Sequence, residues 1–188
     1  MVDGFPATLS AAQAGDETAI ASLWRQLQPA LLRYLRAREP YAAEDVASET
    51  WLRAARNLRS FSGNEVEFRA WMFTLARHAL IDWHRRGMRR PVWGGSTDVD
   101  REQAAHDDPA AEAFEALDTE NVLGLIRRLP KTQADVILLR VIAGLDTERV
   151  AEIVGKQPAT VRVIQHRALR NLAEMLGAEV LSEQGVTR

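Results

Sequence analysis

Asp146, Gly155 and Pro158 divide the stretch from Leu145 to Leu172 into two helices joined by a sharp turn, and this pattern narrows the fold more than any other in the chain. An aspartate ahead of an apolar-periodic run caps a helix by accepting amide hydrogen bonds of the first turn; Leu145 and Val150 stand at the staple positions around it. Gly155 falls where a left-handed residue ends that helix. Pro158 falls where the next begins, since a missing amide hydrogen costs nothing in a first turn. Val150, Ala151, Val154, Gly155, Val161 and Ile164 are small or apolar where the two helices must approach.

The second of these helices has two faces. Val161, Ile164, Ala168 and Leu172 share the inward one, whereas Ala159, Arg162, Val163, His166, Arg167 and Arg170 recur at helical spacing on the outward one. A cationic face without acids suits the major groove of DNA, where arginine binds guanine edges or phosphate. Merely solvated faces usually mix signs.

The rest of the chain is also helical in pattern, so the expected fold is all-α. Asp16 caps a helix carrying Ala19, Ile20, Leu23, Trp24 and Leu27 on one face, with an interruption near Pro29 before Leu31, Leu32 and Leu35 continue it. Val46, Ala47, Thr50, Trp51, Ala54 and Leu58 mark a second helix, and Phe68, Trp71, Met72, Leu75, Ala76 and Ala79 a third. Thr132 and Asp135 have capping-box spacing at the start of a helix through Val136 to Leu139. No alternating strand pattern stands out elsewhere.

Charge divides the chain further. The formal total is only -2, yet Arg77 to Arg90 holds five arginines against Asp82, Ser96 to Glu120 holds nine acids against Arg101, and Gly155 to Arg170 holds four cations and no acid. Gly94-Gly95 lie just ahead of the acidic stretch and Asp107-Asp108-Pro109 within it, so residues 91–112 are expected to form an acidic linker between domains at 10–90 and 113–180. On charge alone it could be a solvating tether. The Arg77 to Arg90 zone interleaves His78, Trp83, His84, Arg85, Arg86 and Arg89 with apolar positions; cations serve phosphates and flat groups serve unstacked bases, which hints at a melted strand. Trp71 and Trp83 could equally be packing residues, and the arginine cluster a solvated helix end.

Several function classes are disfavoured. The chain has no cysteine, which removes disulfides, thiolate metal sites and a thiol nucleophile. No run approaches the roughly 18 apolar residues of a membrane span, and the first residues lack the basic flank of a secretion signal, so a cytoplasmic location is expected. His78 and Asp82 share a helix face but have no third ligand, and adjacent Glu44 and Asp45 diverge by about 100° on a helix, so neither a metal site nor shared acid-base catalysis is expected. Catalytic residues, cofactors and metals are expected to be absent.

Two groups of residues then resemble a known family. Asp45-Val46-Ala47-Ser48-Glu49-Thr50-Trp51-Leu52, Phe68 to Arg77 and Asp82-Trp83-His84-Arg85-Arg86 are similar to the second domain of sigma-70 family factors. Leu129-Pro130, Val136 to Arg140, Gly144-Leu145, Val150-Ala151, Ala159 to Arg162 and His166 to Leu169 are similar to their fourth domain. Together these matches run from about 16 to 176 and resemble the minimal, extracytoplasmic-function (ECF) group. Lys156, Gln157 and Ala159 depart from the more usual residues of the turn, and Asp146 to Arg149 lacks the common aromatic.

The resemblance implies a division of labour. Glu44, Asp45, Glu49 and Arg53 would bind the β′ clamp helices of core RNA polymerase, while the helix around Val136 to Arg140 would approach the β flap. The loop Phe61-Ser62-Gly63-Asn64-Glu65 would hold a base flipped from the non-template strand of the minus-ten element, with Arg77, His78, His84, Arg85, Arg86, Arg89 and Arg90 along the adjoining DNA. Lys156, Gln157, Ala159, Thr160, Arg162, Val163, His166, Arg167 and Arg170 would read the duplex minus-35 element. The linker would thread basic channels of the polymerase, and an anti-sigma factor would be a further partner; no membrane insertion is implied. A stand-alone helix-turn-helix repressor or activator, or a nucleic-acid enzyme built on His78, Asp82 and His84, would be the rival readings.

Overall fold

The computed structural model describes residues 4–89 and 121–185, with side chains to 87 in the first segment and 177 in the second. The expected linker at 91–112 therefore lies outside the described residues. Helix α1 (Phe5–Ala14) has Pro6 in its first turn and ends at Gly15, whose φ of 96° opens a turn closed by Asp16 N–H on the Ala11 carbonyl at 3.0 Å. Asp16 then caps α2 (Glu17–Arg38), its Oδ1 accepting from Ala19 N at 2.7 Å. A Pro40–Ala42 turn leads into α3 (Ala43–Asn57), and a Leu58–Ser60 turn into the loop before α4 (Glu65–Arg89). Asn64 and Glu67 form a reciprocal capping box there: Asn64 Oδ1 accepts from Glu67 N at 3.0 Å and Glu67 Oε2 accepts from Asn64 N at 2.8 Å.

The expected break at Pro29 does not occur, since α2 runs through it. An internal proline forfeits a backbone hydrogen bond and costs about 3 kcal/mol. Here the flanking Leu27, Ala30 and Leu31 are all buried, and burying a leucine alone stabilises by about 1.5–3 kcal/mol. Packing on both sides of the proline outweighs the local defect. Residues of α2, α3 and α4 meet in a core where Leu31, Tyr34, Leu35, Met72 and Phe73 are fully buried and the Phe73 ring stands edge-on to Tyr34 at 5.4 Å.

The second half contains α5 (helical at 121–128), α6 (Lys131–Val141), α7 (Thr147–Val154) and α8 (Pro158–Gly185). The turn between α7 and α8 has the expected chemistry. Asp146 Oδ1 accepts from Arg149 N at 2.8 Å, Leu145 and Val150 are fully buried, and Gly155 adopts φ 66° while Lys156 N–H bonds the Ala151 carbonyl at 2.9 Å. The Thr132–Asp135 capping box is not formed. Pro130 occupies the cap of α6 without a side-chain bond, Thr132 is exposed, and Asp135 turns away into a buried site facing two arginines of the first half. Two guanidinium groups stabilise a carboxylate more than one neutral amide does.

The described residues contain no strand and no helix long and apolar enough to cross a membrane. The halves touch through α2 with α6 and α4 with α7, and their buried apolar side chains form one connected cluster.

Candidate nucleic-acid interface

Because Val161 and Ala168 are fully buried against α6 and α7, the opposite side of α8 is left in solvent. Lys156, Gln157, Ala159, Thr160, Arg162, Val163, His166, Arg167 and Arg170 are all exposed there. Two acids border this face, Glu148 on α7 and Glu174 farther along α8 itself. Arg162 Nη2 lies 3.2 Å from Glu148 Oε1 of α7, and Arg170 Nε lies 3.0 Å from Glu174 Oε1 one turn on. Both pairs are exposed, where an ion pair contributes about 0–1 kcal/mol, so a phosphate or base edge competes readily for either arginine.

The loop ahead of α4 is a built structure. Gln13 of α1 donates through Nε2 to the carbonyls of Leu58 at 3.0 Å and Phe61 at 2.7 Å, pinning the loop's entry. Phe61 stacks on Trp71 with centroids 5.0 Å apart and planes at 29°, and meets Phe68 edge-on at 5.5 Å. Ser62 and Asn64 remain exposed beside this aromatic wall. Gln13 and the whole of α1 were invisible to periodicity, since a lone glutamine in an apolar stretch carries no local signal.

Gly63 sits where a side chain has no room: a Cβ there would lie 2.8 Å from Glu67 Oε2, 3.0 Å from Glu67 Cβ and 3.0 Å from Phe61 Cζ. Gly63→Ala is therefore expected to break the Asn64–Glu67 capping box or lift Phe61 off Trp71. Losing a cap costs about 1 kcal/mol, which should lower the melting temperature of the N-terminal half by roughly 4–8 °C. Thermal melts together with the Trp emission spectrum check it; an unchanged melt and spectrum would count against the packing described.

Along α4 the expected cations have different surroundings. His78, Arg85 and Arg86 are exposed. His84 places Nδ1 2.8 Å from the Leu80 carbonyl and Nε2 2.7 Å from Glu39 Oε1. Arg77 points to the second half, with Nε 3.3 Å from Asp135 Oδ2. The Arg89 side chain and Arg90 lie outside the described residues. Trp83, half-buried, packs edge-on to His84 at 5.3 Å, and Asp82 accepts from Arg53 Nη1 at 3.0 Å. No group of three potential metal ligands exists among the described residues.

On α3, Glu44 and Asp45 are exposed, and Glu44 pairs with Arg36 at 2.7 Å. Arg53 bridges Glu49 at 2.8 Å and Asp82 at 3.0 Å, tying α3 to α4. The hydrogen bond from Arg53 holds the Glu49 carboxyl below its ordinary range, and the same bond raises the Arg53 guanidinium. Beside these charges an apolar groove of about 840 Å³ opens between α1, α2 and α3, lined by Ile20, Trp24, Trp51, Leu52, Leu58 and Phe68 among others. Trp24, assigned by periodicity to the inward face, is 46% exposed, and Leu52 is 53% exposed. Val136 to Leu139 of α6, in contrast, are core, and Arg140 donates to the Leu145 carbonyl.

Comparison with known proteins adds the following. Residues 23–90 match Sigma-70 region 2, and residues 119–172 match Sigma-70, region 4. The ECF RNA polymerase sigma factor SigD of Mycobacterium tuberculosis is 32% identical over 178 residues, covering 92% of this chain and 84% of that protein. The ECF RNA polymerase sigma factor BldN of Streptomyces coelicolor is 31% identical over 169 residues, covering 88% of this chain but 63% of its own length. Among solved structures, CnrH in complex with the cytosolic domain of CnrY has the same fold, with TM-score 0.67, 22% identity and coverage of 94% of this chain and 99% of that one. RpoE of Bartonella quintana, solved with the anti-sigma factor NepR, aligns with TM-score 0.62 at 22% identity, covering 84% and 96% of the two chains.

Proposed function

The chain belongs to the extracytoplasmic-function (ECF) group of the sigma-70 family of RNA polymerase sigma factors, and on that premise we propose that it binds core RNA polymerase and directs promoter recognition, strand opening and transcription initiation. The observation that carries the reading is the exposed face of α8 with Arg162, Arg167 and Arg170, held outward by a helix-turn-helix whose inner face is buried. On this reading Lys156, Gln157, Ala159, Thr160, Val163 and His166 join those arginines at the duplex minus-35 element. Phe61, Ser62, Gly63 and Asn64 take a flipped base of the minus-ten element. Arg77, His78, His84, Arg85, Arg86, Arg89 and Arg90 follow the adjoining strand.

Residues 10–90 and 113–180 act as two domains joined by the acidic segment at 91–112. The protein performs no covalent chemistry; opening the promoter draws only on its higher affinity for the melted state. It works in the cytoplasm, where the polymerase is. An anti-sigma factor is its expected inhibitor, by analogy with the NepR complex of the Bartonella relative.

Glu44, Asp45, Glu49 and Arg53 provide the charged part of core binding, and the groove beside them provides the apolar part. The groove's lining is mostly apolar and carries one acid, Glu17, and one base, Arg59, which fits the apolar face of an amphipathic helical partner. Leu52→Asp is expected to weaken core binding by about 30-fold, the size of a 2 kcal/mol interface anchor. Because Leu52 is half in solvent, helicity and melting should stay unchanged. Fluorescence anisotropy with labelled protein and core polymerase measures it, and unaltered affinity would remove the groove from the interface.

The test of the function as a whole is reconstituted transcription. Core polymerase with this chain should initiate on a subset of a promoter library, and core alone should not. A chain that neither binds core nor confers promoter-dependent initiation would overturn the reading.

A further inference from the structure

Gln13 is one side chain of α1 that closes a loop lying far along the chain from it. A glutamine amide nitrogen carries two hydrogens, and Gln13 Nε2 uses both, on the Leu58 carbonyl at 3.0 Å and the Phe61 carbonyl at 2.7 Å. The Leu58 carbonyl also accepts from Phe61 N at 3.1 Å, so the amide clamps the Leu58–Ser60 turn at its start and just past its end. At its other end α1 places Phe5 against Phe68 with centroids 5.6 Å apart, and Phe68 is the ring that Phe61 meets edge-on. Helix α1 thus braces both the backbone of the loop and the aromatic wall beside it. It lies ahead of residues 23–90, the stretch that matches Sigma-70 region 2.

This brace has a directional consequence. Across a planar trans peptide the carbonyl and the following N–H point in opposite directions, and no described peptide is cis. With the Phe61 carbonyl turned toward Gln13, the Ser62 N–H is turned away from α1. Among the described residues neither that N–H nor the Ser62 hydroxyl has a hydrogen-bond partner, and Ser62 is exposed. Farther on, the Asn64–Glu67 capping box fixes the exit of the loop, and Gly63 is hemmed in by Glu67 and Phe61. The loop is held at entry and exit with the Ser62 donors unpaired between them.

We infer that Gln13 is the positioning residue of this loop: by holding the Phe61 carbonyl it aims the Ser62 N–H and hydroxyl at the acceptor edge of an unpaired base, and so sets base discrimination without touching DNA itself. The inference rests on the assignment of Phe61 to Asn64 to a flipped base and deepens it. Base edges offer ring-nitrogen and carbonyl acceptors. A donor fixed before the strand arrives avoids the entropy cost of ordering the loop on binding. Without the brace the Phe61–Ser62 peptide can rotate, and its N–H then points to no one place.

Gln13→Glu is the main variant, because it keeps the size and helix propensity of the side chain while replacing its two donors with oxygens that repel both carbonyls. Gln13→Leu removes the donors without adding charge, and covers a glutamate variant that circular dichroism shows to be unfolded. The probes are labelled single-stranded oligonucleotides with the non-template minus-ten sequence of a promoter selected from the library, intact or with an abasic site at one position at a time. Each is bound to polymerase saturated with the parent or a variant. In the parent, one position should show the largest loss when its base is removed. At that position each variant should reduce the ratio of intact to abasic affinity at least fivefold, and Gln13→Leu should leave the abasic affinity within twofold of the parent's. A loss of folded protein would lower both affinities together and leave the ratio unchanged. A parent with no loss at any abasic position would overturn the flipped-base reading and the inference with it. A parent with a clear position, and folded variants that keep its ratio, would overturn the role of Gln13 alone.

Discussion

Phe73→Ala is expected to destabilise the N-terminal half by about 3–5 kcal/mol, the cost of removing a large aromatic from a closed core and leaving a cavity. Phe73 is fully buried, and its ring meets Tyr34 edge-on at 84°. Whole domains are stable by only about 5–15 kcal/mol, so this one change should bring the half close to its unfolding midpoint at modest denaturant. Urea unfolding followed by Trp emission is the measurement, because all five tryptophans, at 24, 51, 71, 83 and 93, precede the second half. Far-UV circular dichroism on the same samples follows both halves. A midpoint shift in Trp emission with a second, unshifted step in circular dichroism is the expected pattern. No shift in Trp emission would show that Phe73 is not the core residue described.

The second large effect is one of opposite signs at neighbouring residues. Arg162→Ala should cost about 1–3 kcal/mol of minus-35 discrimination, roughly 5- to 150-fold, if the side chain reads a base edge. Glu148→Ala should act in reverse. In the free protein Glu148 holds the Arg162 guanidinium at 3.2 Å and adds a negative charge beside an otherwise cationic face. Its removal should strengthen promoter binding, by up to a few fold given the weakness of exposed pairs. Binding of the polymerase complex to duplexes with altered minus-35 sequences, over a range of salt, separates the two. Arg162→Ala should flatten the sequence preference, whereas Glu148→Ala should tighten every sequence. Parallel loss of core binding in Arg162→Ala would mean that α8 is not the reading helix.

Much of the helix-turn-helix could be read from residues alone because each signal in it is local. A cap, a left-handed glycine and a first-turn proline act within four residues of their own backbone, and the two faces of α8 follow from a period of 3.6. The same local rule failed at Asp135. Spacing made it the second half of a capping box with Thr132, but the acid is drawn away by Arg38 and Arg77, residues 97 and 58 positions earlier. Pro29 failed for a related reason, since packing of Leu27 and Leu31 overrode a backbone penalty that is real in isolation. Trp24 shows the limit of periodicity, which assigns a face to a helix without saying whether another helix covers all of it.

The candidate site divides along the same line. The exposed cations of α8 were nameable in advance as residue types suited to phosphates and base edges, whereas the Phe61 loop was reached only through the family resemblance. The setting of neither was legible. Glu148 beside Arg162, Gln13 beneath the Phe61 loop and the steric need for Gly63 all depend on chain segments brought together from a distance.

Taken by itself, the order of amino acids determined that the described residues are helical, where α2, α7 and α8 start and α7 stops, and which face of α8 stays in water. Hydrogen bonding and side-chain periodicity are satisfied within a turn or two, so neighbours in the chain suffice to specify them. Only the tertiary structure decided which charges pair across the halves, how the Phe61 loop is braced and how much of Trp24 and Leu52 remains open. Burial and ion pairing depend on groups that are adjacent in space but remote along the chain, and their strength depends on how much water the assembled fold excludes.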